Sequence, residues 1–307
     1  WLSRHEEQPE ARRRWLERAA RAGVAAARRD MPGNLRYDDP ARATAWTLRL
    51  ADDGERDFQL EAARLLAEGQ GVPRNARAAR ARYRQAAEAG QRGAWAPLGL
   101  LLQAGDSPSE GGRGEDAGRG SPFDRAGALA AWTRGAEAGD GRSAGLAGAI
   151  ALPQAKTAAE RAQAMAWLAA GAEHGDLRAA RLLGEALEAG RGFPPDPAGA
   201  RRVYAAALNE RGLTQAPDGP VIARRLLALL AAERDLAGLA DAAEELEDVP
   251  LQAYAADLLA RAGDQAAAAK VRVAAAGALE EQVLEAFEDF VEVDPDDAPP
   301  TLSAIRA

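Results

Sequence analysis

One glycine recurs along this chain at a nearly constant interval, and it limits the possible folds more than any other feature. Gly54 and Gly90 are 36 residues apart, and so are Gly139 and Gly175, whereas the middle interval of 49 indicates an insertion of 13 residues. A period of this length is typical of solenoids, in which each helix pair packs on its neighbours. The full series consists of Gly23, Gly54, Gly90, Gly139, Gly175 and, as its expected end, Gly212.

Other residue types keep a fixed offset from this repeat glycine. Nine positions after it the residue is small, which would let a second helix approach closely: Ala63, Gly99, Gly148 and Gly184. Fifteen positions after it a second glycine predicts the end of the first helix, because glycine adopts a left-handed cap at little cost: Gly69, Gly105 and Gly190. Asn75 and Asp196 then suit the N-cap of the second helix. Seven or eight positions before the repeat glycine comes an aromatic residue expected to fill the groove between helices: Trp15, Trp46, Tyr83, Trp132, Trp167 and Tyr204.

These recurring positions resemble the Sel1-like repeat, a member of the tetratricopeptide-repeat superfamily. The first-helix pattern is clearest at 179–193, AARLLGEALEAGRGF, and the second-helix pattern at 164–175, AMAWLAAGAEHG. The resemblance covers about Trp15 to Gly212. It departs from the family pattern where leucine replaces the usual tyrosine, at Leu66, Leu102 and Leu187, and at 141–153, which lacks the Gly-x-Gly turn.

The resemblance implies an all-α fold, a right-handed α-solenoid of antiparallel helix pairs with about five units. We expect residues 1–214 to form the solenoid, 215–293 to form irregular tetratricopeptide-like helices, and 294–307 to be a tail. The Gly/Ser/Pro-rich stretch 106–122 is a candidate insertion, either a plain connecting loop or one that recognises a partner. The last predicted helix, about 265–293, carries an apolar stripe at Leu279, Val283, Phe287 and Val291. It suits a terminal cap, with docking on a partner as the alternative.

Composition and motifs argue against a catalytic, metal or nucleic-acid-binding site. The chain has no cysteine, which excludes disulfides and cysteine-based metal sites, and its net charge of −8 argues against nucleic acid as a partner. No apolar run is long enough to span a membrane. The two histidines, His5 and His174, lack metal-ligand spacing, and no P-loop or G-x-S-x-G motif is present. We therefore expect no catalytic residues, no metal and no cofactor.

The resemblance also implies where a partner would bind, because the first helices of such repeats line the concave groove. Offsets of 6, 10 and 13 from the repeat glycine should face that groove, with Trp95 near its edge. The candidate partner-binding residues are Leu60, Arg64, Trp95, Leu100, Gln103, Arg181, Glu185 and Glu188. Such a groove would suit an extended or helical segment of another protein.

The resulting hypothesis is a non-enzymatic protein–protein interaction module. The first version is an adaptor or assembly scaffold of a bacterial envelope or secretion-related complex, with a periplasmic or otherwise exported location. The second is an immunity or inhibitor protein that neutralises a secreted toxin by one-to-one binding, for which the acidic charge would complement a basic target. A carbohydrate-binding or enzymatic role would need clustered aromatics or paired carboxylates in a cleft, and the predicted groove shows neither.

Overall fold

The computed structural model describes residues 9–105, 123–190, 193–208, 216–246 and 248–291, and their side chains except those of 9–12 and 283–291. The candidate insertion 106–122, the tail 294–307, His5 and Gly212 lie outside the described residues. The part of the chain that is described forms α-helices and no β-strand: α1 Pro9–Arg21, α2 Ala25–Leu35, α3 Pro40–Asp52, α4 Arg56–Glu68, α5 Ala76–Glu88, α6 Trp95–Ala104, α7 Arg125–Glu137, α8 Gly141–Ala151, α9 Ala158–Glu173, α10 Leu177–Ala189, α11 Pro197–Leu208, α12 Gly219–Ala232, α13 Leu236–Glu245, α14 Val249–Ala262 and α15 Gln265–Val291.

We call the first helix after each repeat glycine the A helix and the second the B helix, and the B helix packs on the A helix. The five pairs are α2–α3, α4–α5, α6–α7, α8–α9 and α10–α11. This confirms the predicted all-α fold of antiparallel helix pairs. The helices form two compact units, residues 1–176 and 177–307, which we call unit 1 and unit 2. The predicted boundary at 214/215 marks where the repeat spacing in the sequence ends, which is a different criterion from compactness, and it stays a prediction.

The repeat glycine closes each pair with the same backbone turn. Gly23, Gly54, Gly90, Gly139 and Gly175 all have φ between +79° and +90°. The N–H of the following residue donates to the carbonyl five positions back, as from Gln91 to Ala86 at 2.9 Å and from Asp140 to Gly135 at 2.8 Å. This is the Schellman arrangement, which satisfies the last carbonyls of a helix when the chain passes through the left-handed region. The A helix begins two residues after this glycine, except that the 3₁₀ turn Arg92–Ala94 separates Gly90 from α6.

The small residue nine positions after the repeat glycine is the point of closest contact within a pair. A Cβ placed on Gly99 would overlap the indole of Trp132, and one on Gly184 would overlap the ring of Tyr204. The Trp132 Nε1–H also donates to the Ala96 carbonyl at 3.1 Å, so the buried indole leaves no polar atom unpaired. The predicted close approach is thus observed in both units.

The aromatic positions do not all fill the groove between helices as expected. Tyr83, Trp132 and Tyr204 are buried, but Trp15 is 63% exposed, and Trp46 and Trp167 are only half-buried. The side chains seven and eight positions before the repeat glycine cannot both point inward, because successive helix residues differ by about 100° in direction. For Trp46 and Trp167, eight positions before their glycine, the following residue takes the core position, as the buried Thr47 and Leu168 do. Tyr204 lies eight positions before Gly212 and is itself buried.

The turn between A and B helices follows the sequence prediction after Gly69, which has the left-handed conformation, whereas Gly105 has φ of +65° and ψ of −175°. The Asn75 side chain accepts from the Ala78 N–H at 2.9 Å, and Asp196 accepts from the Gly199 N–H at 2.7 Å. The irregular unit without the Gly-x-Gly turn is closed differently. Its α8 ends in a 3₁₀ turn at Leu152–Gln154, and a capping box between Thr157 and Glu160 then starts α9.

The first part of the C-terminal helix packs on unit 2 through residues that precede the predicted stripe. Buried Ala268, Val271 and Ala275 hold the first part of α15 against α13 and α14. Leu279 is 51% exposed, and the side chains of Val283, Phe287 and Val291 lie outside the described residues. Leu279 is exposed because α15, with 27 residues, is longer than α14, which has 14. At 1.5 Å per residue these helices are about 40 Å and about 21 Å long, so α14 can cover only about half of α15.

The contact between Gly99 and Trp132 gives a first prediction. Gly99→Ala should destabilise unit 1 by about 1–3 kcal/mol, because a buried indole cannot move aside in a packed core. The midpoint of urea unfolding, followed by circular dichroism, measures the loss. Gly33→Ala is the matched control, since a Cβ there meets no atom within 4 Å. The control should gain up to about 1 kcal/mol from helix propensity, and equal effects of the two changes would refute the packing argument.

A second prediction concerns the turn between α12 and α13. Arg234 occupies the position of the repeat glycine there, with φ of +59°, and the Asp235 N–H donates to the Leu230 carbonyl at 2.9 Å. A non-glycine residue in this region is strained by about 1–2 kcal/mol. Arg234→Gly should therefore raise the thermal midpoint, with a net gain of about 1 kcal/mol. Arg234→Ala keeps the strain and should show no such gain; a gain shared by both variants would point to the side chain instead.

Candidate functional site

Four predicted groove residues lie half-buried on neighbouring A helices of unit 1. Leu60 and Arg64 are on α4, and Leu100 and Gln103 are on α6. Leu60 packs on the core formed by α4, α5 and α6, while Leu100 packs on the core around Trp132. These side chains are covered on one side and open on the other, which is the state expected of residues that line a binding face.

Trp95, predicted near the edge of the groove, is part of the core. Only 8% of its surface is exposed, and it packs among Tyr83, Leu98 and Ala131. The guanidinium of Arg134 lies over its ring, with the central carbon 5.9 Å from the ring centre. A side chain held in this way cannot serve as an anchor for a partner, so we leave Trp95 out of the candidate site.

The three predicted residues of unit 2 are joined in a network of ion pairs. Arg181 pairs with Asp218 at 2.5 Å and with Glu185 at 3.0 Å. Arg225 of α12 lies 3.4 Å from Glu185 and 3.2 Å from Glu188. The Tyr204 hydroxyl of α11 donates to Glu188 at 2.7 Å. Glu185 and Glu188 thus bind helices of their own unit, and the network ties α10 to α11 and α12.

The pKa values in this network reflect the same contacts. Burial alone would lower the pKa of Arg181, but hydrogen bonds to Asp218 and Glu185 outweigh burial and raise it. Burial and the hydrogen bond to Glu188 raise the pKa of the Tyr204 hydroxyl above its usual value. Arg181 therefore stays charged and Tyr204 stays neutral over the physiological pH range, so the network is intact there.

A pocket of about 150 Å³ lies between α2, α3 and α4 of unit 1. It includes one predicted residue, Arg64, and the adjoining Glu61. Its other lining residues are mostly apolar or small: Pro32, Gly33, Pro40, Ala43, Thr44, Thr47, Phe58, Leu65 and Gln70, with Arg36 as a further charged residue. The pocket therefore combines an apolar lining with a few charged groups, as small binding sites in proteins usually do.

Two of the charged groups in the pocket neutralise each other. Arg64 binds both oxygens of Glu61, with Nε 2.9 Å from one and Nη2 2.7 Å from the other, and its Nη1 reaches Glu68 at 2.6 Å. The hydrogen bond from Arg64 is the main reason why the pKa of Glu61 is lowered, and the charges of Arg64 and Arg36 add to it against the opposing effect of burial. Both oxygens of Glu61 are therefore engaged at neutral pH.

Arg36 differs from Arg64 in its partners. It is exposed at the C-cap of α2. Within the ranges that the structure covers, no hydrogen bond or ion pair joins its guanidinium to another residue. The nearby Glu61 is already held by Arg64. Arg36 therefore presents a guanidinium with unused donors at the pocket.

The hydroxyl groups in the lining are also occupied. The Thr44 Oγ1–H donates to the Gln70 carbonyl at 2.9 Å, and the Thr47 Oγ1–H donates to the Ala43 carbonyl at 3.1 Å. With those donors used inside the protein, the interior of the pocket acts largely as an apolar surface.

Sequence reasoning missed the part of this pocket that α2 contributes. The repeat that starts at Gly23 has weaker surroundings than the others, and Pro32 interrupts its helix pattern. A usable signal was nevertheless present. Gly33 and Arg36 lie 10 and 13 positions after Gly23, which are the same offsets as Arg64 has from Gly54 and Gln103 from Gly90.

Other kinds of site are not found in the described residues. No group of three or more histidine, aspartate or glutamate side chains there could hold a metal ion. None of the described helices combines the length and the apolar character that a membrane span needs. His174 is exposed, and its Nδ1 lies 2.8 Å from the Ala170 carbonyl.

The unit 2 network gives a prediction about stability. Arg181→Glu should destabilise the protein by about 1–3 kcal/mol, since it would place a carboxylate beside Asp218 and Glu185, whose side chains are about a quarter exposed. Urea unfolding followed by circular dichroism measures the change. Arg202→Glu is the control, because that side chain is 75% exposed and its ion pair with Asp196 is long, at 3.9 Å. The control should change stability by less than about 0.5 kcal/mol, and an equally small effect at Arg181 would contradict a structural role.

Comparison with known proteins agrees with this architecture. No protein-family model matches the sequence, and no curated protein matches it. Among solved structures, a Sel1 repeat protein from Oxalobacter formigenes is similar at a TM-score of 0.50 and 23% identity, over 67% of this chain and 78% of that one. A protective antigen present in uropathogenic Escherichia coli strains, which displays an SLR (Sel1-like repeat) fold, gives a TM-score of 0.47 and 19% identity over 94% and 68% of the two chains. The chain therefore has the helix-pair solenoid fold of the Sel1 repeat protein, with its pairs closed by left-handed glycines.

Proposed function

We propose that the chain is a non-enzymatic protein-binding module, and that the A-helix face of unit 1 binds a segment of another protein. One observation carries the proposal: Gly33, Arg36 and Arg64 line the pocket at the offsets of 10 and 13 from the repeat glycine. The half-buried Leu100 and Gln103 have the same two offsets on the next A helix, α6. This face thus offers a small pocket together with partly open apolar side chains.

The apolar part of the face is spread over several A helices. Leu60 on α4 and Leu100 on α6 are each packed on a buried cluster while remaining partly open. Leu146 and Ile150 on α8 are also partly open and pack on the same cluster as Leu100, at offsets one position away from those of the face. An extended or helical segment could bury its own apolar side chains against such a row, gaining about 25 cal/mol for each Å² removed from water. Unit 2 is a weaker candidate, because its equivalent charged residues are already paired within the chain.

For the biological setting, we propose an adaptor or assembly scaffold in a bacterial envelope or secretion-related complex. The support is the resemblance to Sel1-like repeat proteins. An inhibitor of a secreted toxin is the second candidate, and the net charge of −8 favours it if the target is basic. The identity of a captured partner distinguishes the two.

Site-specific photo-crosslinking tests the proposed face. A photoreactive amino acid at Leu100 or at Gln103 should crosslink a partner protein in the native organism, because both side chains are half-buried and reach the open side of α6. The same amino acid at Arg202, which is 75% exposed on the B helix α11, is the matched control. Labelling at Arg202 as strong as at Leu100 would contradict a specific face.

The captured partner then allows a quantitative test. Leu100→Ala should weaken its binding about tenfold, the effect expected when a residue at the centre of an interface is truncated. Isothermal titration with the full chain measures the dissociation constant, and circular dichroism checks that the variant is folded. An unchanged dissociation constant in a folded variant would exclude this face.

A further inference from the structure

The pocket between α2 and α4 has features that select among partners. We propose that it takes one apolar side chain of the bound segment while Arg36 pairs with an acidic side chain adjacent to it. The partner would then carry a short apolar–acidic motif. This inference depends on the proposed function, since it specifies what the A-helix face of unit 1 recognises.

The size of the pocket sets the apolar part of the motif. A cavity of about 150 Å³ in a protein can hold a group about the size of benzene. That is enough for one aliphatic or aromatic side chain and too small for a folded element. Phe58, Leu65 and Pro40 supply apolar surface for such a group, and the hydroxyls of Thr44 and Thr47 donate to backbone carbonyls.

The charges at the pocket set the acidic part. Glu61 has both oxygens bound by Arg64, and Glu68 is bound by the same guanidinium. Arg36 remains as a cation whose donors are unused within the described residues. A guanidinium has a planar fork of donors that matches a carboxylate. An acidic side chain would therefore form charge-assisted hydrogen bonds with Arg36, whereas a basic side chain would be repelled by it. A basic motif would meet no free carboxylate in the lining.

The acidic group belongs to a side chain within the segment and not to a chain end. Leu60 lies on α4 beside the pocket residues, and Leu100 continues the face on α6. A segment with one side chain in the pocket can therefore continue along the apolar surface that Leu60 and Leu100 form. An apolar residue and its acidic neighbour would then lie at one point of a longer bound stretch.

Selection from a displayed library of random twelve-residue peptides tests the motif, with the full chain as bait. The wild type should enrich peptides that place Asp or Glu next to an aromatic or aliphatic residue. Arg36→Gln should remove the preference for the acid, and Gly33→Phe should remove the preference for the apolar residue by filling the pocket. A Cβ at Gly33 meets no atom within 4 Å, so this change is compatible with the backbone.

Two control variants match these changes elsewhere on the surface. Arg202→Gln removes an exposed guanidinium from α11, and Gly277→Phe adds a ring to an exposed helix position where a Cβ also meets nothing within 4 Å. Both should enrich the same peptides as the wild type. A synthetic peptide from the selection should bind Arg36→Gln about tenfold more weakly than the wild type by fluorescence anisotropy, the loss expected for one charge-assisted hydrogen bond.

The outcomes separate this inference from the proposed function. Enriched peptides without an acidic preference, or with one that persists in Arg36→Gln, would overturn the inference and leave the proposed face standing. Failure to enrich any peptide sequence, with a bait that is folded by circular dichroism, would count against both. Loss of the acidic preference in Arg202→Gln as well would show a general charge effect and would also overturn the role of Arg36.

Discussion

The left-handed turn at the repeat glycine is the constraint on which the rest of the structure depends. It ends one helix and satisfies that helix's last carbonyls. Two residues later the next A helix begins or, after Gly90, the 3₁₀ turn Arg92–Ala94 that leads into α6. Because the turn has the same geometry at Gly54, Gly90 and Gly139, residues at equal offsets occupy equivalent positions in successive units. The close contact of Gly99 with Trp132 and the proposed binding face on the A helices both follow from this equivalence.

Residues predicted for the same face nevertheless have different roles, because the charges around them differ. Arg64 lies ten positions after its repeat glycine and Arg181 lies six positions after its own, a difference of about one helical turn. Arg64 pairs with carboxylates on its own helix, three residues before it and four after it, and these ion pairs do not join α4 to another helix. Arg181 pairs with Asp218, which lies directly before α12, and this ion pair joins the start of α12 to α10. The first arrangement keeps a pocket open, and the second closes the surface with internal ion pairs.

The same comparison explains why the candidate site was predicted only in part. The offsets identified Leu60, Arg64, Leu100 and Gln103 as residues of a shared face, and the structure places them on adjacent A helices. They could not show that Trp95, one helical position away from that face, turns into the core beneath Arg134. Nor could they identify Arg36, because the pocket exists only when α2, α3 and α4 lie side by side.

The sequence by itself determined the helical fold, the pairing of A and B helices and the turns, since these depend on residues close together in the chain. Glycine at a left-handed position and a small residue opposite a large one are local requirements that leave a visible period. Only the tertiary structure decided which charged residues are open to a partner. Pairing of Arg181 with Asp218, or the unused donors of Arg36 beside Glu61, depends on distances between helices that a one-dimensional pattern does not contain. The tertiary structure also decided how much of α15 is packed, because α14 beside it is shorter.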